Sequence, residues 1–157
     1  MHSNAQLIMR YRSSEVLYGG VVADAHGPDI NPDGPVPIYQ QIRDRIVEAI
    51  AGGGQPAGSG LPSTRQLAVD LGVNFHTVNK GYDLLRQEGP LRIGRKSGAV
   101  VQRDAGSGPP RPDWAQDWAA RLRTLLAEAA AQGLPAPEII RACREAIAPF
   151  AFPEGQP

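Results

Sequence analysis

The sequence predicts a mainly helical fold with one small β-hairpin, and three observations carry the prediction. Ile38, Ile42, Ile46 and Ile50 recur at helical spacing, Leu61 to Gly89 reads as two short capped helices joined by a glycine turn, and two short apolar arms flank a basic, glycine-bearing tip. A second pair of helices comes after a Gly/Ser/Pro-rich stretch at residues 104–112.

Residues 1–28 have no sustained period and are expected to form a mobile arm or an over-long start, with Tyr18 to Val22 as a weak strand candidate. The DINPDGP segment, Asp29 to Pro35, is a turn, because each proline pushes its predecessor away from the helical region. Pro37 suits a first helical position, and the isoleucine stripe, widened by Tyr39 and Ala49, makes this first helix the backing of the core. Gly52 to Gly54 end it. Pro56 to Pro62 is a turn-rich connector in which Leu61 is the apolar anchor.

The next helix opens at Ser63, whose hydroxyl can cap it, and Gln66 three residues later completes a capping box. Leu67, Ala68 and Leu71 share its apolar face, and Gly72 can end it in the left-handed conformation. Asn74 caps a new helix with Val78, Tyr82 and Leu85 as its stripe. Its first turn, Asn74, Phe75, His76 and Thr77, then projects unburied, with Asn79 and Lys80 next on the polar side. On periodicity alone an ordinary helical hairpin would explain this pair. The residues after Gly89 shift the balance: Leu91–Ile93 and Ala99–Val101 are arms around the tip Gly94, Arg95, Lys96, Ser97 and Gly98, and together they read as a wing. Helix, turn, second helix and wing make a winged helix-turn-helix domain over residues 29–103, a device for presenting side chains to double-stranded DNA.

Beyond the 104–112 linker, Trp114, Trp118, Leu122, Leu125, Leu126 and Ala129 mark one helix, ended by Gln132 and Gly133. Pro137 opens another carrying Ile139, Ile140, Cys143 and Ile147. A hairpin of this size, residues 113–150 with a tail at 151–157, cannot bury these faces by itself, and a second copy of the chain is the expected cover. A small-ligand pocket lined by the tryptophans is disfavoured, because so short a hairpin offers little concave volume.

Composition bounds the rest. The chain has 157 residues and no formal net charge, but the charge is uneven: residues 37–103 hold nine Lys and Arg against five Asp and Glu, and the flanks are acidic. The basic surplus of four on the winged segment is modest, so tight DNA binding calls for a dimer to double the phosphate contacts. His2, His26 and His76 show no metal-ligand spacing with one another or with Cys143, and neither metal nor cofactor is expected. Cys143, the one cysteine, allows no disulfide within a single chain. On an apolar stripe it is expected to be a buried core residue rather than a redox sensor or nucleophile. No apolar run approaches membrane-spanning length and no signal peptide is evident, which makes the expected protein a cytoplasmic non-enzyme without a membrane partner.

The stretch PIYQQIRDRIVEAI…LPSTRQLAVDLGVNFHTVNKGYDLLRQEG…GRKSGAVV, Pro37 to Val101, resembles the GntR family of bacterial transcription regulators, and DINPDGPVPIYQQI with RLRTLLAEAAAQGLPAPEII is similar to its short YtrA-type subfamily. The resemblance implies a homodimeric repressor without a large effector domain that binds a two-fold symmetric operator and controls, among others, ABC transporter genes. It places Ser63, Thr64 and Arg65 at phosphate and base contacts. Asn74, Phe75, His76, Thr77, Asn79 and Lys80 fall on the recognition helix, Arg95, Lys96, Ser97 and Gly98 on the wing, and the C-terminal apolar residues in the dimer. A small-molecule effector is left open and would have to sit at the dimer interface. Four residues depart from the family pattern: Phe75 stands where arginine is frequent, Gly81 for alanine, Pro90 for leucine and Lys96 for glycine. Phe75 would either touch a thymine methyl or pack so as to tilt the helix. Gly81 costs about 1 kcal/mol of helix propensity and would permit a close backbone approach. The rival from another class is a protein-interaction module that uses the winged helix as a docking surface, for which little salt dependence is expected. An enzyme using Cys143 has less support, since no histidine lies in the C-terminal unit and the neighbouring Arg141 and Arg144 are expected to point elsewhere on the helix.

Overall fold

A computed structural model describes residues 17–18, 21–22, 30–95, 98–150 and 152. The chain divides into two compact units, Met1–Asp104 and Ala105–Pro157. In order the elements are β1 (Leu17–Tyr18), β2 (Val21–Val22), α1 (Ile38–Ala51), α2 (Thr64–Leu71), α3 (Phe75–Glu88), β3 (Leu91–Gly94), β4 (Gly98–Val101), α4 (Pro112–Ala131) and α5 (Ala136–Ile147). The single strand expected at Tyr18–Val22 is instead a two-residue antiparallel pair, Leu17 opposite Val22 and Tyr18 opposite Val21. The remaining expectations for residues 1–28, those for Lys96 and Ser97, and those for the tail apart from Phe152 lie outside the described residues.

The first unit is built on one apolar cluster. Ile42, Ile46 and Ile50 of α1 meet Leu67 and Ala68 of α2, Val78, Tyr82 and Leu85 of α3, and Leu91, Ala99 and Val101 of the wing. Leu61 and Leu71 pack at its edge, as their positions in the pattern suggest. Helix α1 starts one residue later than expected: the Pro37 carbonyl accepts the Gln40 and Gln41 amides, so proline is the cap rather than the first helical residue. The turn before it is pinned by Gln41, whose side chain accepts from the Asn31 amide at 2.8 Å and donates to the Asn31 and Val36 carbonyls.

The two motif helices obey their caps. Ser63 Oγ accepts the Gln66 amide at 3.2 Å, Gly72 ends α2 at φ 64°, and Asn74 Oδ1 accepts the His76 amide at 2.8 Å. The capping box is only half made. Gln66 Nε2 donates to Asp70 Oδ1 at 2.8 Å, a partner one turn along its own helix, instead of reaching back to Ser63. Tyr82 ties the motif together: burial pushes its phenol pKa well above the ordinary range, so it remains a donor, and it hydrogen-bonds the Pro62 carbonyl at 2.8 Å just before α2.

Gly81 is the close approach. A Cβ built there would stand 2.9 Å from the Tyr39 backbone carbonyl oxygen, and backbone cannot swing aside as a flexible side chain can. Gly81→Ala is therefore expected to destabilise the protein by about 1–3 kcal/mol, although alanine is the better helix former by about 1 kcal/mol. Thermal unfolding checks this, and a melting temperature equal to or above wild type would refute the packing argument.

The wing is a β3–β4 hairpin with Leu91 opposite Val101 and Gly94 opposite Gly98. Its second strand has a neighbour that no local sequence signal announces. The Leu61 amide donates to Ala99 O and the Val101 amide to Ser59 O, both at 2.9 Å, so part of the expected loose connector runs antiparallel beside β4. These bonds hold the wing to the start of α2.

In the second unit, α4 and α5 form a helical hairpin closed at Gln132 and Gly133 (φ 86°). Among the described residues neither helix contributes a buried side chain. The expectation of a buried Cys143 fails in the single chain, where it is exposed. Within the hairpin the stripe stays open, since two helices with one seam cannot enclose an apolar face.

Candidate nucleic-acid interface

Helix caps and core packing decide which side chains the motif exposes. Because α2 buries Leu67 and Ala68, Arg65 faces out from its first turn. Because α3 buries Val78, Tyr82 and Leu85, its first turn leaves Asn74, Phe75 and His76 exposed, Thr77 half-buried, and Asn79 and Lys80 exposed beyond it. Each helix start also presents amides with no helical acceptor and the positive end of its dipole, which favours a phosphate. Ser63 Oγ and Asn74 Oδ1 are committed to capping, which leaves the Asn74 amide nitrogen as its donor for a base edge.

The two helix starts lie side by side. The Arg65 guanidinium carbon is 5.9 Å from the centre of the Phe75 ring, and that ring meets His76 with centroids 3.9 Å apart at 34°. Lys80 takes a different station. Its Nζ lies 3.8 Å from the centre of the Tyr39 ring on α1, a cation–π placement that fixes a charge at the flank of α3.

On the wing, Leu91, Ala99 and Val101 point inward and Arg92 points outward opposite Val100. Arg95 is exposed after β3, and Gly98 opens β4 at φ 66°. Two residues of this surface are missing from the sequence-based set. Arg92 hides inside an apolar arm, although period-two alternation after buried Leu91 is a signal that could find it. Tyr39 looks like a residue that only widens the α1 stripe, and no local signal shows its ring under Lys80.

Elsewhere in this unit, Arg43 bridges Glu88 at 2.7 Å and Asp44 at 2.9 Å, tying α1 to the end of α3. Burial works against its charge, but the two carboxylates outweigh burial and raise its pKa. Arg43 is thereby committed to structure.

The residues assigned to dimerisation gather in the second unit. Trp114, Trp118, Leu125, Ile140, Cys143 and Ile147 are exposed, whereas Leu122, Leu126 and Ile139 are half-buried along the hairpin. Among the described residues there is no group of three His, Cys, Asp or Glu suited to a metal ion, and no helix is long and apolar enough to cross a membrane.

Residues 38–101 match the family of bacterial regulatory proteins named gntR. The HTH-type transcriptional repressor YtrA of Bacillus subtilis is 36% identical over 76 residues, covering 48% of this chain. The chain spans 58% of that protein's length. Among solved structures, YtrA from Sulfolobus acidocaldarius, a GntR-family transcription factor, is 38% identical with a TM-score of 0.54, and the match covers 66% of this chain and 97% of that one. A transcriptional antiterminator from Listeria monocytogenes EGD-e shares the fold at a TM-score of 0.71, with 24% identity over 84% of this chain and all of its own.

Proposed function

The chain belongs to the GntR family of bacterial regulatory proteins, and from that premise we propose that it is a sequence-specific repressor that acts in the cytoplasm as a homodimer on a two-fold symmetric operator. The observation that carries the reading is the joint exposure of two helix starts, with Arg65 of α2 against Phe75 and His76 of α3. A core-packing helical hairpin has no need to display this set. Ser63, Thr64 and Arg65 take phosphate and base contacts; Asn74 to Thr77 with Asn79 and Lys80 enter the major groove; Arg95, Lys96, Ser97 and Gly98 of the wing track the backbone beside it. An arginine at position 65 can grip a guanine edge or a phosphate with two parallel hydrogen bonds, which a lysine cannot.

Dimerisation supplies what one protomer lacks. A surplus of four positive charges on the winged segment supports only weak binding at physiological salt, and a second copy doubles it. The same copy covers the apolar hairpin stripe. Similarity to the short YtrA-type subfamily supports repression by occupying a promoter and ABC transporter genes as targets.

Selection of fragments from the source genome by the purified protein tests the reading. Enrichment of a two-fold symmetric site with half-sites about one helical turn apart, or a multiple of it, is expected. Failure to enrich any fragment at low salt would overturn it in favour of a protein-docking surface.

A further inference from the structure

Phe75 is a large apolar side chain that core packing does not explain. It opens α3 immediately after the Asn74 cap, is 40% exposed, and stands outside the buried cluster that takes Val78, Tyr82 and Leu85. A residue that set the tilt of the helix by packing would have its ring among those three. Yet the ring is held in place, with the His76 imidazole 3.9 Å away and the Arg65 guanidinium 5.9 Å from its centre.

We propose that Phe75 determines specificity by reading the 5-methyl group of a thymine in the major groove, next to the base or phosphate gripped by Arg65. The inference rests on the DNA-binding reading above. A benzyl ring has neither donor nor acceptor, and the thymine methyl is the apolar feature that base edges present in that groove. The tilted contact with His76, at 34° between the rings, limits the ring's freedom, so less entropy is lost when it meets the methyl. The 5.9 Å separation from Arg65 is less than two base-pair rises, which keeps the two readouts on neighbouring base pairs.

The test uses the full-length protein and the selected operator duplex, with deoxyuridine replacing thymine at one symmetric pair of positions at a time. Deoxyuridine removes only the methyl. At one such pair, wild type is expected to lose about fourfold in affinity per half-site, the worth of one buried methyl group. Phe75→Ala is expected to bind the thymine operator more weakly, to be indifferent to the replacement, and to unfold at nearly the wild-type temperature. Arg65→Ala is expected to weaken both duplexes alike and to keep the methyl preference.

Wild type indifferent to deoxyuridine at every position would overturn the inference while leaving DNA binding intact. So would a Phe75→Ala variant that keeps the preference or melts several degrees lower. Absence of any selected duplex would take down the DNA-binding reading, and this inference with it.

Discussion

Wild type is expected to sediment as a dimer and a Leu125→Asp, Ile140→Asp double variant as a monomer at the same concentration, with a loss of about a hundredfold or more in operator affinity. Both side chains are largely in water in the single chain, at 61% and 51% exposure, so the charges cost the isolated hairpin little. In a dimer each would be carried into an apolar interface without a partner, at several kcal/mol per pair. The loss of affinity is a matter of linkage. Two half-sites held by one dimer bind at a high effective concentration, and a monomer meets each separately. Analytical ultracentrifugation and operator titration measure the two effects. The winged unit should keep its thermal transition, because among the described residues its cluster draws only on the first unit. A variant that stays dimeric and binds normally would remove the hairpin from the interface.

Arg65→Ala is expected to weaken operator binding by about tenfold to a hundredfold per half-site. A good bidentate base contact is worth about 1–3 kcal/mol of discrimination, and the dimer makes it twice. The effect should fall mainly on specificity if the contact is to a guanine, and equally on all sequences if it is to a phosphate. Arg65→Lys separates charge from geometry. It should restore part of a phosphate contact and little of a bidentate one. The guanidinium is exposed and outside the buried cluster, so stability should barely move. Unchanged operator affinity in Arg65→Ala would refute the assignment of the α2 start to the interface.

Features fixed by neighbours in sequence are legible in it, and those needing distant partners are not. The isoleucines of α1, the Asn74 cap and the Gly72 stop are local, and the structure has all of them. The Gly81 approach is also readable, because a glycine inside a strong helical pattern usually means that something lies close. Half of the expected capping box is absent because Gln66 has a second suitor in Asp70.

The strip from Gly58 to Leu61 looks like a loose turn. Its two glycines hide a pairing with β4 some forty residues away. Gln55 is wholly buried, with Oε1 accepting from Ser59 Oγ at 3.0 Å, although it comes after a glycine run that looks solvent-facing. At the candidate site, periodicity can name the exposed residues but not their neighbours. That Arg65 lies by Phe75, and Lys80 over Tyr39, depends on how three helices cross. Cys143 differs from expectation for a related reason, since an apolar stripe reveals that something must cover it but not whether that cover lies in the same chain.

In the proposed function this winged unit recognises a specific DNA sequence through paired cationic surfaces. That recognition is tested most directly by titrating wild type onto the selected operator and onto a scrambled duplex of the same length between about 50 and 200 mM salt. A preference of at least about a thousandfold for the operator is expected, with log affinity falling steeply against log salt and less steeply in Arg65→Ala if that residue meets a phosphate. Equal affinity for the two duplexes, or binding indifferent to salt, would contradict it.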